Sequence, residues 1–259
     1  MFPNFIFDEQ QIIILFLVLL RMSAFVVAWP IFGVEQVPSS LKILLAVILS
    51  ILVYPTLRVP AMEPGDLEKM LIWLGLKELA VGLVLGYLMR LFFFAVGIAG
   101  QMISSSMGLA NGQLMNPTVG IDGGAIEQYQ VTLATLFFLS INGHHLFLSG
   151  LVQSFEFIPV SLEGINLAAF SGFGAIAQQI MVLGLKMSAP VIAAILVTNL
   201  AMGILGRAVP QINVFITSIP VNILLGFFIM MLTLPLFSEE MGGLLNAMTE
   251  HFFRFVKQL

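Results

Sequence analysis

Six apolar runs of unequal length, each cut or bounded by irregular chain, constrain this sequence more than any other feature. They extend roughly over 12–32, 41–57, 70–103, 131–152, 176–205 and 214–237. A helix needs about 20 residues to cross the hydrocarbon core of a bilayer, so the second run is short and the third is long enough to bend or continue past it. Pro30, Pro55, Pro190, Pro210, Pro220 and Pro235 fall inside or at the ends of these runs. Each withholds a backbone donor and disfavours helix at the residue before it. Backbone left unpaired cannot face lipid, so such helices need protein neighbours. The expected fold is all-α and of integral membrane type, made of long helical hairpins broken at Pro and Gly.

Composition sharpens this. Only 9% of the 259 residues are charged and 59% are hydrophobic, whereas soluble domains carry about 25% charged residues. Phe occurs 23 times but Tyr 3 times and Trp twice, too few for aromatic belts at two bilayer interfaces. The phenylalanines therefore read as helix-packing residues. Cysteine is absent, which excludes disulfides, thiolate metal sites and a cysteine nucleophile. The net charge is -4 with no basic run, so nucleic-acid binding has no electrostatic footing. The start, MFPNFIFDEQQ, carries Asp8 and Glu9 rather than the positive charge of a cleaved signal; the apolar run after it is expected to be retained.

Arg21, Lys77, Glu78, Arg90, Lys186 and Arg207 lie within or beside apolar helices. A charge at mid-bilayer costs about 2.5 to 3.5 kcal/mol, so these side chains are expected to face protein or water. Lys77 and Glu78 point in different directions on a helix, and Glu78 and Arg90 share no turn, so their partners belong to other helices or other chains. Gly82 with Gly86, and Gly108 with Gly112, are small-xxx-small pairs that permit close helix approach.

Between apolar segments lies SSSMGLANGQLMNPTVGIDGGAIE, residues 104–127. Its glycines permit tight turns, Asn116-Pro117 starts a turn, and Met107, Leu109, Leu114 and Met115 place soft apolar side chains on a flexible frame. That composition suits a movable plug or seal, with a plain surface loop as the other reading.

Chemical motifs are missing. His144 and His145 are adjacent, so their side chains diverge by about 100° on a helix and make a poor bidentate metal site. Asn142, Gly143 and His144 are expected to form a helix break or a polar contact between helices. No GxSxG elbow and no phosphate-binding loop occurs; no catalytic activity, cofactor or metal is expected. Arg207–Gly226, with two prolines, Gln211, Asn213 and Asn222, reads as a polar, irregular hinge joining two long helices. The tail 238–259 has the spacing of an amphipathic helix that lies on a membrane or a partner.

Arg21 with Pro30-Ile-Phe-Gly and Val37-Pro-Ser-Ser, Gly143-His144, Ser154-Phe155 with Ile158-Pro159, and Arg207-Ala-Val-Pro-Gln-Ile-Asn213, in this order and spacing, resemble the FliR/SctT family of type III secretion export-gate proteins. The resemblance covers nearly the whole chain, from Ile12 to Phe237, and overall likeness favours the flagellar branch. It implies a FliP-like helical part over 1–171, a FliQ-like hairpin over 172–237 and the tail beyond, with no FlhB-like extension expected. It also implies a single copy in a helical ring with FliP and FliQ, joined by FlhB and FlhA, in the bacterial inner membrane and the flagellar basal body. Unfolded export substrates would pass through the ring. The plug it implies falls within 104–127, on Met107, Gly108, Leu109, Asn111, Gly112, Leu114 and Met115. Arg21, Glu78, Arg90, Lys186, Arg207, Gln211 and Asn213 are then the expected inter-helix or inter-subunit polar contacts.

Two rival readings stand beside this one. An ion-coupled secondary transporter would arrange broken half-helices around intramembrane carboxylates, for which Glu78, Glu127 and Glu156 are the candidates. A membrane scaffold would need no conduit at all.

Overall fold

The computed structural model describes residues 9–32, 37–57, 64–109, 124–161, 164, 166–211 and 213–258, without the side chains of 64–69, 167 and 215. Its elements are α1 (Glu9–Ala28), α2 (Ser39–Val53), a 3-10 turn (Tyr54–Thr56), α3 (Pro64–Met107), α4 (Ala125–Ser140) and α5 (Gly143–Phe157). A second 3-10 turn (Leu167–Gly172) then leads to α6 (Phe173–Ala208), α7 (Val214–Leu232) and α8 (Leu234–Gln258). The described chain is all-α and has no strand. Four helices are long and apolar enough to cross a membrane, or up to six if each bent pair counts as one span. The run over 131–152 is broken at Asn142, whose φ of 56° is left-handed, a conformation that asparagine tolerates better than most residues.

Two compact units emerge, Met1–Leu91 with Gly143–Phe173 and Met248–Leu259, and Phe92–Asn142 with Gly174–Ala247. In the first, glycine sets the spacing of α1 on α3. A Cβ at Gly82 would lie 2.3 Å from the Arg21 carbonyl oxygen, and one at Gly86 2.6 Å from Ala28 Cβ. Only hydrogen fits there, so the backbones pack at the close range that small residues allow. Beneath them Leu17, Val18, Phe25 and Leu85 are fully buried. In the second unit Phe92, Phe93 and Phe138 form a tilted triangle with centroids 5.0 to 5.6 Å apart, the edge-on geometry that ring quadrupoles favour.

Two proline expectations need correcting. Pro190 and Pro220 lie inside α6 and α7 and interrupt neither. A proline in an isolated helix interior costs about 3 kcal/mol, but burial of Ser188, Val191 and Ile195 around the first one holds α6 continuous. The Arg207–Gly226 hinge is correspondingly short: Pro210 and Gln211 form the turn, and helix resumes at Val214. Asn213 restarts it by accepting a hydrogen bond from the Ile216 amide at 3.3 Å, the standard way to satisfy an orphan donor at a helix start.

The tail also differs from its reading. It belongs to α8, and its apolar stripe of Met241, Leu244, Leu245, Met248, Phe252 and Phe255 is buried within the protein itself. Phe252 meets Phe147 edge-on at 5.3 Å and fills the dent at Gly150, where a Cβ would come within 2.4 Å of its ring. Glu250 and Arg254 pair on the exposed side at 2.5 Å. Elsewhere large apolar faces remain open, among them Ile43, Leu44, Ile51 and Leu52 on α2 and Leu224, Phe228, Met231 and Leu232 on α7. Surfaces of this kind suit lipid or other subunits rather than water.

Candidate functional site

Two places combine sequence-flagged residues with unusual geometry. The first is a buried polar cluster in the first unit. The Gly82 contact lets α1 ride close enough to α3 for Arg21 to reach Glu78. Arg21 Nε donates to Glu78 Oε2 at 2.5 Å and Nη2 to Oε1 at 3.0 Å. Nη2 also donates to the Ile158 carbonyl at 2.8 Å and Nη1 to Ser154 Oγ at 3.1 Å. Phe155 lies under the guanidinium, 3.9 Å from its carbon to the ring centroid. Neither charged side chain is exposed at all.

A buried charge is tolerable when it is paired and its remaining protons are satisfied, and this guanidinium meets both conditions. The fork geometry is specific to arginine. Lys77, one residue along α3 and so on a neighbouring face, donates to the Pro159 carbonyl at 3.3 Å and the Ser161 carbonyl at 3.0 Å. Two cations from α1 and α3 thus capture the carbonyls just past the end of α5, where the helix dipole favours positive charge. Since both Glu78 oxygens are engaged by Arg21, this carboxylate is a poor ion-coupling site.

The second place is the root of the 104–127 segment, in the second unit. α3 runs out to Met107, Gly108 takes φ 83°, and its amide donates to the Ser105 carbonyl at 3.1 Å. Met107 is fully buried in an apolar cluster with Ile103, Ile126, Val191, Ile195 and Met230, and Leu109 packs against it. Its side chain fills the dent at Gly226 on α7, where a Cβ would stand 2.7 Å from Met107 Cε and 2.8 Å from Sδ. Where the chain returns, Gly100 on α3 makes room for α4: a Cβ there would lie 2.6 Å from Glu127 Cα. Both ends of the segment are therefore seated on glycine dents. Asn111, Gly112, Leu114 and Met115 lie outside the described residues.

Of the remaining flagged residues, all but Glu127 stand apart from both places. Arg90, Lys186, Arg207, Gln211 and Asn213 are exposed, as is Glu156, while Glu127 is half-buried against Gly97. Sequence reading named Ser154 and Ile158 only within a family motif and Gly226 only as the end of a hinge, because nothing local marks a hydroxyl, a carbonyl or a glycine as the far end of a tertiary contact. It also passed over Asn199, whose amide meets Asn222 across α6 and α7 at 2.9 Å; a lone amide in an apolar run was the available signal.

Known families fit this architecture. The family described as bacterial export proteins, family 1, matches residues 12–248. The chain belongs to this family. FliR proteins match most of the chain. The flagellar biosynthetic protein FliR of Bacillus subtilis (strain 168) is 37% identical over 217 residues, 83% of each chain. FliR of Escherichia coli (strain K12) is 31% identical over 218 residues, 84% of this chain and 83% of its own. FliR of Pectobacterium carotovorum subsp. carotovorum is 31% identical over 238 residues, 89% and 90% respectively. This export-family protein is accordingly a membrane component of flagellar biosynthesis, and the buried Arg21 cluster and both glycine-seated ends of the 104–127 segment fall inside the matched region.

Proposed function

We propose that this chain is a single-copy subunit of the flagellar type III export gate in the bacterial inner membrane. It assembles with FliP, FliQ, FlhB and FlhA and helps form and plug the channel that unfolded flagellar subunits cross. The observation that carries the reading is the family match over 12–248. The open apolar faces of α2 and α7 support it, since sister subunits would cover them.

In this reading the 104–127 segment closes the channel at rest. Met107 anchors its first end in the Gly226 dent, and Leu109 starts the apolar seal. An apolar constriction blocks ions and water by steric closure and dewetting, and methionine side chains repack around a polypeptide that pushes through. Arg90, Lys186, Arg207 and Gln211, exposed on this chain alone, then face neighbouring subunits. The division near Gly172 between a FliP-like part and a FliQ-like hairpin belongs to the same proposal.

Native mass spectrometry of the tagged chain, extracted mildly from cells that express its genomic neighbours, tests assembly. One copy among several copies of two other small hydrophobic proteins is expected, and a stable monomer or homodimer overturns the reading. Gly108→Leu tests the plug. At φ 83° a branched side chain is strained by about 1–2 kcal/mol, so export should change while the complex still assembles; unaltered export sinks the plug assignment.

A further inference from the structure

Asn199 is an exposed amide on a helix face that is otherwise apolar. On α6 it is flanked by Leu196 and Leu200, 60% and 63% exposed. Its Oδ1 accepts from Asn222 Nδ2 at 2.9 Å, and among the described residues nothing accepts from its own amide N–H groups. One turn on, Gly203 has open space where a Cβ would be, and a further turn brings exposed Arg207. Spacing of four and four puts Asn199, Gly203 and Arg207 on one side of α6. Asn222 behind them is 6% exposed, and among the described residues its Oδ1 has no hydrogen-bond partner.

Lipid is the wrong solvent for this strip. A side-chain amide without a partner is costly to bury, and between apolar helices it is hydrogen bonds and close backbone approach that drive association. The strip offers one amide, one gap and one cation along about 12 Å of helix.

From this complementarity we infer that α6 docks a helix of a different subunit through Asn199, Gly203 and Arg207. The docked helix carries a hydrogen-bond acceptor opposite Asn199, a close backbone opposite Gly203, and a carboxylate about two turns along that meets Arg207. The inference rests on the export-gate reading for the existence of such a neighbour and adds the residues that select it.

Because the sequence has no cysteine, a Gly203→Cys variant carries one thiol, and the open space there accepts it. The full chain, in membranes of cells that express its genomic neighbours, is labelled with a maleimide-diazirine reagent and irradiated. A single adduct with a different protein is expected. Its yield should fall about three- to tenfold when Asn199→Leu is added, the range one interhelical hydrogen bond carries in membranes. It should hold when Asn222→Leu is added instead, because that variant removes the internal partner and keeps the outward amide. An adduct of twice the chain mass, labelling of lipid alone, a yield indifferent to Asn199→Leu, or equal loss in both variants overturns the inference. Co-purification separates the two readings. If no other subunit accompanies the unmodified chain, the export-gate reading fails; if subunits accompany it and position 203 gives no protein adduct, only the docking strip fails.

Discussion

The guanidinium of Arg21 and the carboxylate of Glu78, 57 residues apart, meet in two hydrogen bonds with neither side chain exposed. Around them Ser154 Oγ and the Ile158 carbonyl accept two more. The cluster ties α1, α3 and the end of α5 together, and its energetics depend on completeness. Removing one partner leaves a buried charge, which costs about 3–5 kcal/mol, whereas replacing both by apolar groups is often nearly neutral. Arg21→Met and Glu78→Leu should each cut the accumulation and thermal resistance of the extracted complex sharply. The double variant should regain most of both. A double variant as unstable as the sum of the singles would show that the charges act independently.

Gly82→Ala follows from spacing alone. The added methyl meets the Arg21 carbonyl and Ala24 Cβ, at 2.3 and 2.8 Å, and backbone cannot yield as a side-chain tip does. Overpacking of this kind costs about 1–3 kcal/mol. Gly174→Ala, at a position with nothing within 4 Å, is the control and should hold or slightly raise stability. Equal melting of the two variants in detergent would contradict the close approach of α1 to α3.

Met107 and Gly226 should be coupled. Gly226→Ala crowds the Met107 thioether at 2.7–2.8 Å and is expected to destabilise by about 1–3 kcal/mol. Met107→Ala alone leaves a cavity, at about 2–5 kcal/mol. The two together should cost less than their sum, because the smaller side chain vacates the space that the new methyl takes. Thermal unfolding of the four proteins gives the coupling directly, and strict additivity rules out the dent.

Asn142 is held at φ 56° between α4 and α5. Asn142→Gly should be neutral within about 0.5 kcal/mol or slightly stabilising, while Asn142→Val should lose about 1–2 kcal/mol, because a β-branched side chain resists the left-handed region. Comparable stability for the two variants would contradict the break.

Much of the fold was legible in the chain. Low charge and long apolar runs prescribe an all-α membrane protein, since only helices satisfy their own backbone within such runs. Asn142-Gly143 announced a break because those residue types relax φ. The apolar stripe of 238–259 announced an amphipathic helix, and its period was right. What periodicity cannot carry is the partner of that stripe. Phe252 packs on Phe147 and Gly150, about a hundred residues earlier, whereas membrane or another protein would satisfy the same pattern equally well. Prolines misled for a related reason: their cost is local and computable from sequence, but the packing that offsets it around Pro190 is tertiary.

By itself, then, the sequence determined which segments are helical, that they shun water, and, through Arg21, Glu78 and Lys77, that charges needed partners beyond their own turn. Tertiary structure alone decided which partners those are. Glu78 was equally available to an ion-coupling role until both its oxygens met Arg21. Gly82 and Gly226 became meaningful only through Arg21 and Met107 packed against them. The physical reason is range: helix formation is settled within four residues of backbone, while the pairing of a buried charge or the filling of a glycine dent depends on groups that only folding brings within 3 Å.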